Sequence, residues 1–267
     1  MEKNEKKVIL VVSFGTSFAE TREKNIEAIE KEIAGAWPAW EVRRAFTSGM
    51  ILKKLRERDS IVIDNVDEAM RHIIDDRVTK VFIQPTHIIN GDEYEKMLRQ
   101  VKPYENMFSW IRIGKPMLSE SSDYEDVCNA IYDSLSELSS DDALVLMGHG
   151  TGHFADSAYA ALDYRFKALG YPNVFIGTVE GYPELSDIIP QIEKFSPKKI
   201  FLMPFMIVAG DHAVNDMAGD EDSWKTQFEA YGYEVESFLM GLGEIPAIRK
   251  LYLKHVEEGI IEEEINE

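Results

Sequence analysis

Two stretches of the chain share one pattern and decide the fold: residues 81–93 read VFIQPTHIINGDE, and residues 200–212 read IFLMPFMIVAGDH. Each begins with an apolar run typical of a buried strand and continues through a proline to a glycine and an aspartate. All three of these residues keep one offset of 119 positions. The repeat predicts the same strand and loop in both halves of the chain.

Two further matches occur in the same order along the chain. Ser13-Phe14-Gly15-Thr16 corresponds to Gly148-His149-Gly150-Thr151 at an offset of 135, and Thr47-Ser48-Gly49 corresponds to Val179-Glu180-Gly181 at an offset of 132. We interpret the three matches as an internal duplication. The alternative is that any two α/β halves place glycines after their strands.

Short runs rich in β-branched residues alternate with amphipathic segments, which is typical of an α/β fold with parallel sheets. The runs predict eight strands: Val8–Ser13, Glu41–Phe46, Lys80–Pro85, Ser109–Ile113, Ala143–Gly148, Val174–Val179, Lys199–Phe205 and Glu234–Leu239. We expect two similar domains, residues 1–138 and 139–267, each a parallel four-stranded sheet flanked by helices. The second domain would carry a C-terminal helix.

Composition excludes several classes of protein. The 267 residues include 29 basic and 48 acidic ones, and the resulting charge of −19 argues against a nucleic-acid partner. The single cysteine, Cys128, excludes an intramolecular disulfide and has the surroundings of a core residue. The early apolar run Val8–Val12 is too short for a secretory signal or a membrane span, so we expect a cytoplasmic protein without a membrane partner.

The two copies differ at three positions that follow strands. His149 stands where the first copy has Phe14, Glu180 where it has Ser48, and His212 where it has Glu93. Ligands of open α/β sheets bind beyond the carboxyl ends of the strands, where these residues are expected. Two imidazoles and one carboxylate suit a divalent ion such as Co²⁺, Fe²⁺, Ni²⁺ or Zn²⁺ and leave coordination positions open.

Each candidate ligand also has a structural interpretation. In that interpretation, His149 bonds a backbone carbonyl and Glu180 caps the next helix. His212 follows Gly210-Asp211, and Asp211 is a candidate to orient its ring. His87 belongs to the corresponding loop of the first copy and is kept as a candidate.

Other motifs are weaker. The turn Gly148–Gly152 resembles a phosphate-binding loop, but it lacks the glycine spacing of dinucleotide sites and the Walker lysine. Neither Ser13 nor Ser17 lies in the Gly-x-Ser-x-Gly elbow that an acyl-transfer nucleophile requires.

The sequence resembles the anaerobic cobalt chelatases of the CbiK family over nearly its whole length. The resemblance is carried by residues 11–17 (VVSFGTS), 42–48 (VRRAFTS), 84–87 (QPTH), 148–151 (GHGT) and 208–220 (VAGDHAVNDMAGD). It implies a bilobal, class II chelatase-like fold with the tetrapyrrole between two similar domains. It also implies insertion of Co²⁺, as substrate ion, into sirohydrochlorin during cobalamin biosynthesis, with no organic cofactor.

The family's metal ligands, two histidines and a glutamate, fall on His149, His212 and Glu180. Insertion removes two pyrrole protons, and histidine is a base near neutral pH. We therefore expect His149 to accept one proton and Glu93 to help remove the second. Substrate contacts are predicted for Ser13, Phe14 and His87.

Three alternatives stay open at this point. The ligand set suits a chelatase for another metal or tetrapyrrole, such as iron for sirohaem or haem, because it hardly discriminates among first-row ions. A two-lobed protein of this kind also fits a tetrapyrrole- or metal-binding protein without turnover. A phosphate-handling enzyme would use the glycine turn. The oligomeric state is left open by the sequence.

Overall fold

A computed structural model describes residues 5–264, with side chains through Ile261. The outermost residues of the predicted domains, 1–4 and 265–267, lie outside the described part. The chain forms two compact units. One contains the residues up to Ser119 together with those from Arg249 onward, and the other is Glu120–Ile248.

Each unit is built on one parallel four-stranded sheet, which confirms the predicted fold class. The first sheet has the order β2-β1-β3-β4 and the second the order β6-β5-β7-β8. The strands are β1 Lys7–Ser13, β2 Glu41–Phe46, β3 Lys80–Pro85, β4 Trp110–Ile113, β5 Ala143–Gly148, β6 Val174–Thr178, β7 Lys199–Phe205 and β8 Glu234–Ser237.

Helices connect the strands and flank the two sheets. They are α1 Ala19–Thr21, α2 Ala28–Ala36, α3 Gly49–Asp59, α4 Val66–Asp75, α5 Asp92–Val101, α6 Ser121–Ser134, α7 Ser157–Ala168, α8 Leu185–Phe195, α9 Trp224–Ala230 and α10 Pro246–Glu264. Arg22–Glu27 and Ala213–Met217 are π-helical, and Lys102–Met107, Phe154–Asp156 and Leu242–Glu244 are 3₁₀-helical.

The central strands of both sheets are apolar on both faces because helices cover both faces of a parallel sheet. Residues 8–12 of β1 and 143–147 of β5 are completely buried. Cys128 of α6 is buried as predicted, and burial raises the pKa of its thiol to about 12. Within the described residues, no helix is long and apolar enough to cross a membrane.

The turns after β1 and β5 repeat the same backbone conformation. Gly15 has φ +101° and Gly150 has φ +80°, a region that residues with a side chain rarely adopt. A Cβ atom at Gly15 would lie 2.5 Å from the Phe46 ring, and one at Gly150 would lie 2.4 Å from the backbone nitrogen of Gly181. The shared strand order and these matching turns agree with the duplication inferred from the sequence.

The division into units differs from the predicted domains 1–138 and 139–267 at two places. Helix α6 belongs to the second unit, where Tyr132 stacks on Tyr171 at 4.1 Å between ring centroids. Helix α10 belongs mainly to the first unit, because Tyr252 donates a hydrogen bond to the Thr86 carbonyl and Arg249 pairs with Glu32. Both differences arise from long-range packing, which local composition does not reveal.

Candidate metal centre

His149, Glu180 and His212 lie together at the carboxyl ends of three adjacent strands. His149 follows β5, Glu180 follows β6 and His212 follows β7, and β5 is hydrogen-bonded to both of the other strands. One ligand atom from each residue lies within 4.8 Å of the other two. Among the described residues this is the one group of three or more such side chains close enough to share an ion.

Backbone hydrogen bonds beyond the strand ends hold Glu180 beside His149. The Val179 nitrogen donates to the Gly148 carbonyl at 3.0 Å, and the Glu180 nitrogen donates to the His149 carbonyl at 2.8 Å. The Glu180 carboxylate lies 3.9 Å from His149 Nδ1. Glu180 does not cap the next helix, because α8 begins at Leu185 and Glu184 occupies its N-cap.

The His149 ring has one nitrogen engaged with the backbone. Its Nδ1 lies 2.9 Å from the Gly150 carbonyl, which only accepts hydrogen bonds, so Nδ1 carries the proton. The neutral ring then has its lone pair on Nε2. The expected carbonyl contact and a ligand role are therefore compatible in one residue.

The His212 ring is oriented by Asp216. Its Nδ1 lies 2.6 Å from the carboxylate of Asp216, four residues later in the π-helical turn. The sequence indicated Asp211 for this role. The helical turn instead places Asp216, four residues after His212, beside the ring. A carboxylate on Nδ1 fixes the tautomer and leaves Nε2 as the lone-pair nitrogen, an arrangement common behind metal-binding histidines.

The cluster is open to solvent. The side chains of His149, Glu180 and His212 are 43%, 60% and 33% exposed. Three ligands leave at least one position for water or for an incoming ligand in a four-coordinate ion. The arrangement is suited to a divalent ion that must enter and leave.

The corresponding positions of the first unit hold no such group. Ser48 is the N-cap of α3, where its hydroxyl accepts from the Ile51 nitrogen. Glu93 lies in the first turn of α5 and pairs with Lys96, whose ammonium also donates to the Thr47 carbonyl at 2.7 Å. Phe14 is 43% exposed after β1.

The two remaining predicted residues, Ser13 and His87, have buried polar atoms. Ser13 is buried, and its hydroxyl accepts a hydrogen bond from Thr86 at 2.8 Å. Both ring nitrogens of His87 are buried without a hydrogen-bond partner. Burial, aided by the positive charge of Lys96, lowers the pKa of His87 to about 4.

Asp156 and Tyr159 contact the backbone next to the candidate ligands, and neither was identified from the sequence as a site residue. The Tyr159 hydroxyl accepts from the Gly150 nitrogen at 3.4 Å, and its ring fills the space beside Gly148. The Asp156 carboxylate accepts from the backbone nitrogens of Thr151 and Tyr182. These contacts depend on how the start of α7 and the loop after β6 pack against the turn after β5, which no local pattern in the sequence reveals.

Curated relatives match the chain over nearly its whole length. The sirohydrochlorin cobaltochelatase of Salmonella typhimurium is 44% identical over 256 residues, covering 96% of this chain and 97% of the relative. The sirohydrochlorin cobaltochelatase CbiKC of Nitratidesulfovibrio vulgaris is 32% identical over 259 residues, covering 96% and 91%.

Solved structures share the fold at low identity. SirB from Bacillus subtilis with Fe³⁺ has a TM-score of 0.65 at 16% identity, with 95% of each chain covered. CbiX, the terminal enzyme for biosynthesis of siroheme in denitrifying bacteria, has a TM-score of 0.56 at 16% identity, with 94% of this chain and 99% of the other covered.

The family model described as cobalt chelatase (CbiK) matches residues 7–261. This match and the two curated relatives agree with the resemblance found in the sequence. The chain belongs to the CbiK family of cobalt chelatases and is a metal chelatase.

Proposed function

We propose that this protein inserts Co²⁺ into sirohydrochlorin, with His149, Glu180 and His212 holding the ion before transfer. The main observation in support of this proposal is that these three side chains meet at one rim of the second sheet. Membership of the cobalt chelatase family and the names of the two full-length relatives support the choice of metal and tetrapyrrole.

The ligand atoms follow from the hydrogen bonds of the rings. His149 and His212 would bind through Nε2, because the Gly150 carbonyl and the Asp216 carboxylate take the Nδ1 proton of each ring. Glu180 would add one carboxylate oxygen. Such a set binds Co²⁺ through mixed nitrogen and oxygen donors and leaves positions for water or a pyrrole nitrogen.

The reaction exchanges protons for metal without a change of oxidation state. Two pyrrole N–H bonds break as the four ring nitrogens take up Co²⁺, and two protons must be accepted. Once the ion has left a histidine, the lone pair on Nε2 is free to take a proton. We assign the first proton to His149.

The first unit supplies the remaining proposed contacts. Glu93 is assigned the second proton, for which its carboxylate must exchange its contact with Lys96. Phe14 offers an exposed apolar ring, and His87 has two unpartnered ring nitrogens that are buried and must become accessible to contact the substrate. The Ser13 hydroxyl accepts a hydrogen bond from Thr86, so its own proton is left to donate to the substrate.

An anaerobic absorbance assay tests the proposal. Sirohydrochlorin is mixed with Co²⁺ and with wild type, His149→Ala, His212→Ala, His72→Ala or buffer. His72 is the matched control because it is an exposed histidine that pairs with Asp64 in the first unit. We expect insertion by wild type and His72→Ala, and a rate at least about 100-fold lower for the two ligand variants.

The assay is repeated with Fe²⁺ and Ni²⁺, and circular dichroism checks that each variant is folded. A wild-type rate equal to that of buffer with Co²⁺ would contradict the proposed activity. Faster insertion of Fe²⁺ or Ni²⁺ than of Co²⁺ would contradict the metal assignment. Normal turnover by folded His149→Ala would exclude His149 from the mechanism.

A further inference from the structure

Asp156 occupies a helix N-cap but does not cap its helix. It ends the 3₁₀ turn Phe154–Asp156 and immediately precedes α7, the position where an aspartate usually accepts hydrogen bonds from the first turn. Its carboxylate makes no such bond to α7. One oxygen bonds back to Thr151, earlier in the same connection between β5 and α7, and the other bonds to Tyr182 in the loop after β6.

The two oxygens bond to the loops that carry two of the metal ligands. Oδ1 accepts from the backbone nitrogen of Thr151 at 2.9 Å, and Oδ2 accepts from that of Tyr182 at 2.6 Å. Thr151 lies two residues after His149, and Tyr182 lies two residues after Glu180. One carboxylate thus joins the loops after β5 and β6.

Two glycines allow this close approach. A Cβ atom at Gly181 would lie 2.4 Å from Asp156 Oδ1, and one at Gly150 would lie 2.4 Å from the Gly181 nitrogen. A side chain at Gly150 would press on the backbone of the Glu180 loop, and one at Gly181 would displace the Asp156 carboxylate. The carboxylate and the two glycines therefore pack together against the backbone that follows His149 and Glu180.

We infer that Asp156 is a positioning residue of the metal site, whose carboxylate holds the His149 and Glu180 loops at the separation that ion binding needs. The inference rests on the proposed function, because it takes these residues as the ligands. Hydrogen bonds from backbone N–H groups to a carboxylate are charge-assisted and strong, so the carboxylate resists separation of the two loops. Asp156 itself contributes no ligand.

Binding of Co²⁺ alone, without tetrapyrrole, tests the inference. Titration calorimetry and the visible d–d spectrum are recorded under anaerobic conditions for wild type, Asp156→Ala and Asp156→Asn. Loss of such supporting contacts typically lowers metal affinity about 10- to 100-fold, which we expect for Asp156→Ala together with a changed d–d spectrum. Asp156→Asn keeps its volume and one acceptor oxygen, so we expect a smaller loss.

Asp142→Ala is the matched control. Asp142 accepts from the backbone nitrogen and hydroxyl of Ser139 and precedes β5 at its amino end, away from the ligand rim of the same strand. The control is expected to lower the unfolding temperature while keeping the Co²⁺ affinity and the d–d spectrum of wild type. Hydrogen exchange of the Thr151 and Tyr182 amides should rise in Asp156→Ala alone.

The outcomes separate the two proposals. Wild-type affinity and spectrum in Asp156→Ala would overturn the positioning role and leave the proposed function standing. Absence of Co²⁺ binding in wild type would contradict the ligand assignment and the inference with it. If Asp156→Ala does not fold, Asp156→Asn provides the test. Wild-type Co²⁺ affinity and unchanged amide exchange in Asp156→Asn would then overturn the positioning role.

Discussion

The imidazole rings of His149 and His212 lie with their centroids 4.8 Å apart and their planes at 89°. The rings follow β5 and β7, which are neighbours in the second sheet, and each has an acceptor on its Nδ1. Their relation therefore depends on the strand register and on two hydrogen bonds, one to the Gly150 carbonyl and one to Asp216. The Asp216 contact can be changed by replacing that side chain, whereas the Gly150 carbonyl belongs to the backbone and is altered only through the conformation of its loop.

Replacing Asp216 by asparagine should weaken the proposed metal site without removing one of its candidate ligands. The amide oxygen can still accept from His212 Nδ1, but the negative charge behind the ring is lost. Outer contacts of this type are typically worth about 10- to 100-fold in metal affinity, and we expect a loss in that range for Co²⁺. Titration calorimetry measures it.

Asp64→Asn is the control for that substitution. Asp64 contacts His72 Nδ1 at the same 2.6 Å distance, but this pair belongs to the first unit, whereas His149, Glu180 and His212 belong to the second. Co²⁺ affinity should stay at the wild-type value. Equal losses in both variants would show that Asp216 has no specific role.

Gly150→Ala should disrupt the site through the backbone. Its φ of +80° strains any residue with a side chain, and the new Cβ would lie 2.4 Å from the Gly181 nitrogen. The loops of His149 and Glu180 must then separate, so we expect Co²⁺ affinity to fall at least about 10-fold, the lower end of the effect of a lost supporting contact.

Gly152→Ala controls for glycine replacement in the same loop. A Cβ at Gly152 meets no atom within 4 Å, and its φ lies outside the strained region. Its affinity should match that of wild type. A normal site in Gly150→Ala would show that the close contact with Gly181 does not position the ligands.

His87 should make the stability of the first unit depend on pH. Burial holds its pKa at about 4, against 6.5 for a free imidazole, so between these values the unfolded state binds more protons than the folded state. The contribution of the neutral ring to the free energy of unfolding is fully present above pH 6.5 and is lost as the pH falls towards 4. His87→Gln removes this dependence.

Denaturant unfolding of wild type and His87→Gln at pH 7 and pH 4.5 measures the effect. The difference in unfolding free energy between the two proteins should change by about 2 kcal/mol, with wild type losing more in acid. His72→Gln is the control of opposite sign. The hydrogen bond to Asp64 raises the pKa of His72, so its contribution is present below pH 6.5 and is lost above it. A pH-independent difference for His87→Gln would contradict the neutral buried ring.

Gly259→Ala should destabilise the protein although it replaces a glycine within a helix. Alanine favours a helix over glycine by about 1 kcal/mol, but the new Cβ would lie 2.4 Å from the Phe82 ring in the core of the first unit. Overpacking of this kind costs about 1–3 kcal/mol, so the unfolding free energy should fall. Urea unfolding measures it.

Gly35→Ala provides the comparison. Gly35 lies in α2, and a Cβ there meets no atom within 4 Å, so the variant should gain up to about 1 kcal/mol. Opposite signs for the two variants would support the packing of α10 on β3. A stabilised Gly259→Ala would contradict that packing.

Much of the fold could be predicted because buried parallel strands are legible in sequence. The bounds of β2, β3, β5 and β7 agree with the prediction to the residue. β3, β5 and β7 are short, largely apolar runs ended by a turn, whereas β2 also carries the charged residues Glu41, Arg43 and Arg44. The candidate ligands also came from the sequence, because a duplication allows each residue of one copy to be compared with the corresponding residue of the other. His149, Glu180 and His212 stand where the first copy has residues of other chemistry.

The supports of the site needed the tertiary structure. Asp216 replaced Asp211 as the partner of His212 because residues 213–217 form a helical turn that the sequence did not reveal. Asp156 bonds to Tyr182, which is 26 residues away. Contacts of this kind depend on how separate loops meet and leave no periodic pattern.

The sequence by itself determined the two α/β copies, their strands and the three candidate ligands, because apolar runs are local patterns and two copies can be compared residue by residue without coordinates. Only the tertiary structure decided that α10 packs in the first unit, that the Ser13 hydroxyl bonds to Thr86 and that Asp156 joins two loops. The physical reason is that these contacts join segments far apart in the chain, and their free energy depends on geometry that exists only once the sheets have formed.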